Sequence, residues 1–185
     1  MDAMECLFTR RSIRMYKHDP IPEETLKEIL AAAACAPSAV NMQHWYFVVI
    51  RTPEKMEEFR KVMREVKEKF HPVLVDRFQR HPETLQTETF FTSLGGAPVC
   101  VLAFFLKDNY PDRDGAMQSV SAALENLMLA AWAKGVGSCW IHRAKEVFDS
   151  EEGKELKKQW GVPEEYIGVG HCVLGYRDCE YPTAK

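Results

Sequence analysis

The sequence predicts one domain, either α+β or three-layer α/β, with a small sheet flanked by helices. Three observations lead to this prediction. The chain has 185 residues, the length of one ordinary domain. Hydrophobic residues make up 46% and charged residues 28%, close to the average for soluble globular proteins. Short apolar, β-rich runs alternate with longer segments of helical periodicity. We therefore treat residues 1–185 as one domain without linkers or repeats.

The first elements follow from local signals. Asp2 is placed to cap a short helix. A second helix begins at Pro22 and is stopped by Pro37. The continuous apolar run from Trp45 to Arg51 predicts a strand that is covered on both faces. Thr52 then opens a third helix.

The second half of the chain is predicted to contain two further strands, a possible additional short strand and two helical stretches. The pattern weakens from His71 to Gly96, which predicts irregular structure or short mobile helices. Asp114 is expected to cap a long helix and Gly135 to end it. The other predicted elements are strands at Pro98 to Leu106, Cys139 to Ile141 and Tyr166 to Tyr176, and a helix from Lys145 to Trp160 that breaks near Asp149.

The long helix is unusually apolar. Between Met117 and Ala133 the only charged residue is Glu125. A helix that is apolar nearly all round is buried nearly all round. In so small a chain, a partner subunit is the natural cover, and the sequence therefore predicts a homodimer. A central helix in a monomer is the alternative.

Composition excludes several classes of protein. The net charge of −3 offers no general attraction to nucleic acid or to an anionic membrane. The longest apolar run, Ala97 to Leu106, is too short to span a bilayer, and no signal peptide is recognisable. The six cysteines form no Cys-x-x-Cys pair, which favours reduced, buried thiols. These observations predict a cytoplasmic protein without a metal site.

A basic cluster lies near the start of the chain. Arg10, Arg11, Ser12 and Arg14 place three guanidinium groups and a hydroxyl within five residues. The planar fork of arginine matches pairs of phosphate oxygens, so the cluster suits a phosphate dianion. The alternative is that these arginines are solvated and complement the negative end of the first helix.

Two loops offer further recognition groups. Between Pro37 and the first strand, Ser38, Asn41 and Gln43 can donate and accept hydrogen bonds, or serve only as capping and turn residues. After the long helix, the glycines of the Gly135 to Ile141 segment allow close approach to a flat ligand, or only a helix stop and a tight turn. No catalytic triad, metal-spaced pair or catalytic thiol is recognisable, and we assign no catalytic residue.

Taken in order, these segments resemble the nitroreductase family. The resemblance rests on the order of four motifs, and it spans the chain except for about His71 to Leu94. The motifs are Arg10-Arg11-Ser12-Ile13-Arg14, Pro37-Ser38-Ala39-Val40-Asn41-Met42-Gln43, Gly135-Val136-Gly137-Ser138-Cys139-Trp140-Ile141 and Leu174-Gly175-Tyr176. It implies a nitroreductase-like, three-layer α+β domain that forms dimers, with a small central mixed or antiparallel sheet.

The resemblance also implies that FMN binds at the subunit interface. Arg10, Arg11 and Arg14, assisted by Ser12, are expected at the phosphate and ribityl end of the cofactor. The other expected contacts are Pro37, Ser38, Ala39 and Asn41 from the partner subunit, together with Gln43, Gln118 and the backbone of Val136, Gly137 and Ser138 at the reactive edge of the ring.

The expected reaction follows from the same resemblance. NADH or NADPH would reduce FMN and leave, and a nitroaromatic, quinone or related acceptor would then take the electrons in a ping-pong cycle. The alternatives are another flavin reaction on the same fold (reductive dehalogenation, dehydrogenation or flavin destruction) and a flavin-binding protein that is not an enzyme. Two departures stand out. His44 occupies a position where relatives usually have proline, and beyond Tyr176 the basic residues are Arg177 and Lys185.

Overall fold

A computed structural model describes residues 1–77, 94–107, 113–142 and 144–180. The helices are Ala3–Thr9 (α1), Glu23–Ala34 (α2), Pro53–Arg77 (α3), Arg113–Ala133 (α4), Ala144–Asp149 (α5) and Glu151–Gln159 (α6), with a short 3-10 turn at Ala39–Asn41. The strands are Trp45–Ile50 (β1), Val99–Leu106 (β2), Gly137–Ile141 (β3) and Tyr166–Gly175 (β4).

The four strands form one antiparallel sheet in the order β1-β2-β4-β3. Trp45 pairs with Phe105 at one end of the β1–β2 ladder. An irregularity in register between Ala103 and Phe104 interrupts the β2–β4 ladder. The side chains of β2 are buried on both faces, so its apolar run forms the centre of the core.

Helices cover both faces of the sheet. One face packs on α3, α5 and α6 through side chains such as Phe59 and Phe148. The opposite face packs on α2 and α4 through side chains such as Ile29 and Leu124. The predicted three-layer α+β arrangement is therefore confirmed, and its sheet is antiparallel rather than mixed.

Two predicted helix ends, the Asp2 cap and the stop at Gly135, are confirmed. The Asp2 carboxylate accepts a hydrogen bond from the Glu5 N–H (2.9 Å), which caps α1. Gly135 has a φ of 75° and ends α4. The Gly135 N–H donates to the Trp132 carbonyl (2.9 Å), and the next N–H donates to the Ala131 carbonyl (2.8 Å). This is the hydrogen-bond pattern of a Schellman motif, which requires a left-handed residue at this position.

The first strand packs on both faces of the sheet, as predicted. Tyr46 and Val48 contact the core cluster on one face, and Trp45, Phe47 and Val49 contact the cluster on the other. These five side chains are only half-buried, because β1 lies at the edge of the sheet, and Ile50 is the buried residue of the strand.

Two local predictions are corrected by the structure. Residues 71–77 are not irregular, because α3 continues through them to Arg77. Residues 78–93 of the same segment lie outside the described residues. Asp114 does not precede the long helix but lies in its first turn, since α4 already begins at Arg113.

The surface of the single chain is rich in exposed apolar groups near α1 and α4. On α1, the side chains of Met4, Leu7 and Phe8 are 57%, 53% and 71% exposed. Nine residues of α4 are buried, but Gln118 and Ala133 are exposed on the remaining face. One chain thus buries α4 only in part. Within the described ranges, no helix has the length and apolar character that crossing a membrane requires.

The junction of α5 and α6 depends on Gly153. The Ser150 hydroxyl caps α6 by accepting from the Gly153 N–H (3.0 Å). A Cβ atom on Gly153 would overlap the carbonyl of Val147. Because backbone must move, we expect Gly153→Ala to lower the free energy of unfolding by about 3 kcal/mol. Urea unfolding followed by circular dichroism measures this. Gly161→Asn is the control, since Gly161 has a φ of 70° but no atom within 4 Å of the added Cβ; an equal loss in both variants contradicts the prediction.

Candidate functional site

The segment that follows α1 pairs with β3 at Ser12 and Ile13 and then with the residues after β4 at Met15, Tyr16 and Lys17. The Ile13 side chain is fully buried, and its N–H donates to the Ser138 carbonyl (2.9 Å). Ser12 forms a parallel bridge with Ser138. A Cβ atom on Gly137 would lie 3.0 Å from the Ile13 side chain, so the missing side chain of Gly137 allows this close packing. The basic segment is therefore held in a defined position against the sheet.

Two buried polar atoms at this contact have no hydrogen-bond partner in the part of the chain that the structure describes. They are Nη1 of Arg10 and Oγ of Ser138. The Nε atom of Arg10 lies 3.6 Å from a carboxylate oxygen of Glu125 on α4, so the guanidinium is oriented. Leaving a buried polar group without a partner costs about 1–3 kcal/mol. This arrangement suits a ligand that brings hydrogen-bonding oxygens to both atoms.

Cys139 lies beside three of the predicted site residues. Burial raises the pKa of the Cys139 thiol, and Arg14, the Ser12 hydroxyl and Arg10 oppose that rise only in part. The Ser12 hydroxyl lies within hydrogen-bond reach of this thiol, and the charges of Arg14 and Arg10 act on it. A buried thiol with a raised pKa is a poor nucleophile, which favours a packing role for Cys139.

The reactivity of the six cysteines tests whether Cys139 is buried in the folded protein. Cys35 is exposed and Cys179 is half-buried, whereas the other four are buried. Burial also raises the pKa of the Cys6, Cys100 and Cys172 thiols. We expect a disulfide reagent at pH 8 to modify Cys35 quickly, Cys179 slowly and the buried thiols only after denaturation. Peptide mass spectrometry measures the order; rapid labelling of Cys139 in the folded protein contradicts it.

Arg11 occupies a different place from Arg10 and Arg14. Its Nη1 atom donates to the carbonyls of Phe8 (2.9 Å) and Arg10 (2.8 Å) at the end of α1. Its side chain borders a cleft that Arg177 also lines. The structure thus divides the three arginines of the basic cluster between two sides of the segment. Whether all three contact one phosphate stays a prediction.

The loop before β1 is strained. Val40, Asn41 and Gln43 have φ values of 45°, 58° and 48°. Positive φ is a genuine outlier for a β-branched residue such as valine. Each such residue costs on the order of 1–3 kcal/mol, and strain of this kind clusters at functional sites. The Val40 side chain is 73% exposed, so burial of that side chain does not offset the cost.

Hydrogen bonds hold this loop against α4. The Ser119 hydroxyl accepts from the Ala39 N–H (3.0 Å), and the Ser38 hydroxyl accepts from the Gln43 N–H (3.0 Å). The Gln43 amide donates to the Asn41 side-chain oxygen (3.2 Å). The exposed Gln118 precedes Ser119 on the helix. The predicted site residues from Pro37 to Gln43 therefore lie near the start of α4, close to Gln118.

The two groups of site residues are linked by α4. Ser119 contacts the loop and Glu125 contacts Arg10, six positions further along the helix. At 1.5 Å per residue, these anchors are about 9 Å apart along the helix axis. Sequence reasoning missed both anchors. A signal existed for Glu125, the single charge in an otherwise uncharged stretch, whereas nothing distinguished Ser119.

His44 is another residue whose setting only the structure reveals. It is 3% exposed, and neither ring nitrogen has a hydrogen-bond partner among the described residues. Its carbonyl accepts from the Leu106 N–H (3.0 Å), which joins the loop to the end of β2. Across the described ranges, no three histidine, cysteine or acidic residues lie together in a way that could hold a metal ion.

Comparison with known proteins identifies the family. The profile of the nitroreductase family matches residues 7–176. The chain belongs to this family. A relative from Archaeoglobus fulgidus, provisionally named an NADH dehydrogenase/NAD(P)H nitroreductase, is 33% identical over 178 residues, which cover 95% of this chain and 85% of the relative. The 5,6-dimethylbenzimidazole synthase of Rhodospirillum rubrum is 29% identical over 205 residues, covering 100% of this chain and 86% of the relative.

A solved structure supports the same assignment. The nitroreductase of Bacteroides fragilis, crystallised with bound FMN, superposes with a TM-score of 0.79 at 28% identity. The match covers 100% of this chain and 92% of that one. The predicted resemblance to the nitroreductase family and its fold is therefore confirmed.

Proposed function

We propose that this member of the nitroreductase family is an FMN-dependent oxidoreductase that takes electrons from NADH or NADPH. Nitroaromatics, quinones or related compounds are its acceptors, in a ping-pong cycle. The observation that carries the proposal is the pair of buried atoms, Arg10 Nη1 and Ser138 Oγ, that have no hydrogen-bond partner among the described residues. A solved nitroreductase relative was crystallised with bound FMN, a ligand whose phosphate and hydroxyl oxygens can form hydrogen bonds with such atoms.

The donor set fits FMN. Arginine forks pair with phosphate oxygens, which suits Arg10 and Arg14 for the phosphate and ribityl end. Hydroxyl groups of Ser12 and Ser138 both donate and accept, as the ribityl hydroxyls require. The backbone of Val136, Gly137 and Ser138 would face the reactive edge of the ring.

A second copy of the chain would complete the site. The partner's loop would supply Pro37, Ser38, Ala39, Asn41 and Gln43, and Gln118 is exposed beside this loop. The support for a homodimer is the open face of α4 together with the exposed apolar side chains of α1. Surfaces of this kind typically mark interaction sites in soluble proteins.

When bound, FMN would supply the redox chemistry by accepting hydride equivalents from the nicotinamide and passing electrons to the acceptor. The task of the chain is to orient this group and to place hydrogen-bond donors around it. Arg10 is oriented by Glu125, and the strained loop is fixed by Ser119. We assign no acid or base side chain.

The visible spectrum of the purified protein tests the proposal. We expect a yellow protein with flavin absorbance that is bleached by NADH or NADPH without oxygen and restored by a nitroaromatic or quinone. The mass in solution should be twice that of the chain. A colourless protein that takes up no added FMN contradicts the proposal, as does an FMN-loaded protein that oxidises neither nicotinamide with any acceptor.

A second candidate is a different flavin reaction, favoured by the match to 5,6-dimethylbenzimidazole synthase. Such a protein would still bind FMN but would destroy the flavin instead of recycling it. Chromatography of the flavin after reduction and exposure to oxygen distinguishes the two. Intact FMN over many turnovers supports the electron-transfer role, and stoichiometric loss of FMN supports the second candidate.

A further inference from the structure

A cleft of about 690 Å³ lies between α6 and the first residues of β4. We call it the α6 cleft, and Val162 and Ile167 form part of its wall. Ser138 of the candidate flavin site pairs with Leu174, near the opposite end of β4. The seven positions from Ile167 to Leu174 correspond to about 20 Å along a strand. The α6 cleft is therefore separate from the candidate flavin site.

A buried ammonium group lies at this cleft. Lys157 of α6 lines the cleft but is only 8% exposed. Its Nζ atom donates to the backbone carbonyls of Glu164 (3.4 Å) and Tyr166, and it lies 5.9 Å from the centre of the Phe104 ring. Among the described residues, no carboxylate forms an ion pair with Lys157. Because a buried charge without a counter-charge is costly, the neutral amine is favoured at this position more than at the surface.

The charged groups around Lys157 do not compensate for its burial. Burial is the largest influence, and it lowers the pKa of the Lys157 amine. The carboxylates of Asp149, Glu164 and Glu165 oppose this lowering only in part. A larger fraction of the group is thus neutral at a given pH, and the neutral amine is the form of lysine that acts as a nucleophile.

Lys154 provides a contrast within the same cleft. It lies three positions earlier on α6 and also lines the cleft, but its side chain is 58% exposed. Its Nζ atom lies 2.6 Å from a carboxylate oxygen of Glu151, and this hydrogen bond raises the pKa of the Lys154 amine. Solvent exposure therefore favours reaction at Lys154, whereas the supply of neutral amine favours reaction at Lys157.

The lining of the cleft favours an uncharged reactant. Four carboxylates and three ammonium groups line it, and their charges sum to one negative charge. An anion is therefore disfavoured. Phe148, Val162 and Pro163 add apolar wall, which suits a small acyl group.

We propose that Lys157 is a site of Nε-acylation by an uncharged acyl thioester that enters the α6 cleft. The Lys157 nitrogen attacks the thioester carbonyl, a C–N bond forms and the C–S bond breaks. The sulfur leaves with the electron pair of that bond and takes up the proton that the nitrogen releases. The products are an amide and a free thiol, and nothing is oxidised or reduced. The amide removes the buried charge and keeps one N–H for one of the two carbonyls.

Competitive labelling of the purified full-length protein tests the proposal. The probe is the uncharged thioester S-acetyl-N-acetylcysteamine at about pH 8, and peptide mass spectrometry measures the initial rate at each lysine. We expect acetylation of Lys157 to be about fivefold or more faster than that of Lys154, since each unit of pKa changes the neutral fraction about tenfold. The proposal is overturned if Lys154 reacts as fast or faster, or if Lys157 reacts only after denaturation.

Two further comparisons test the cause of the reactivity. Glu164→Gln removes a charge that opposes the lowered pKa, so it should speed acetylation of Lys157 about twofold or more at the same pH. Glu54→Gln, an equal change at an exposed position of α3, should leave the rate constant. Acetyl-coenzyme A, a thioester with several negative charges, should give a lower ratio of Lys157 to Lys154 labelling. An unchanged ratio overturns the preference for an uncharged donor, and equal rates in the two glutamine variants overturn the electrostatic cause.

Discussion

Replacing Arg10 by glutamine is expected to weaken FMN binding by about 10- to 100-fold. The reason is that a charge-assisted hydrogen bond contributes about 1.5–3 kcal/mol, and each 1.4 kcal/mol corresponds to a factor of about ten. Arg10 offers a buried Nη1 atom without a partner in the described chain, so a ligand gains this bond without breaking another. Titration of FMN with the apoprotein, followed by quenching of flavin fluorescence, measures the loss.

Two controls separate ligand binding from support of the fold. Glu125→Gln weakens the 3.6 Å ion pair but keeps the guanidinium, and we expect a change in FMN affinity of less than about threefold. Arg51→Gln removes an equal charge from an exposed pair with Glu23 and should have no effect. If Arg51→Gln weakens FMN as strongly as Arg10→Gln, or if Arg10→Gln leaves FMN affinity unchanged, the prediction is wrong.

Placing two carboxylates on α1 is expected to convert a dimer into monomers. Leu7 and Phe8 are 53% and 71% exposed in the single chain, where they form an apolar face. Burying a charge without a partner in an interface costs several kcal/mol, so the double change Leu7→Asp and Phe8→Asp opposes association. Light scattering coupled to size-exclusion chromatography measures the mass, which should fall by half.

Val75→Asp is the matched control for this experiment, since Val75 is another exposed apolar residue (47%) and lies on α3. It should leave the mass unchanged. A double variant that remains a dimer shows that the α1 face lies outside the interface. Loss of FMN together with dissociation supports a site shared by two chains, and a monomer that binds FMN as tightly as the wild type contradicts such a site.

Much of the secondary structure could be predicted because its signals are local. The Asp2 cap, the stop at Gly135 and the break between α5 and α6 each depend on neighbours within a few residues. Features that depend on the tertiary surroundings of a segment could not be predicted in this way. A continuous apolar run looks the same in a central and in an edge strand, so the edge position of β1 and the half-burial of its side chains could not be read from its residues.

The candidate site shows a similar division. Arg10, Ser12 and Arg14 could be singled out from the sequence by residue type, and all three act on the pKa of the Cys139 thiol in the folded chain. The separate position of Arg11, by contrast, depends on where α1 ends and how the next segment pairs with β3. Sequence spacing gave no reason to assign the three arginines different roles. Their different contacts in the folded chain distinguish them.

The amino-acid order alone determines most helices and strands, several of their ends and the chemical character of the basic segment. It does so because periodicity and capping act over a few residues. The tertiary structure alone decides which distant groups meet. Ala39 reaches Ser119, Arg10 reaches Glu125, and Arg177 joins the cleft of Arg11 through pairing across the whole chain. These contacts depend on packing the complete sheet and its helices, which no local pattern specifies.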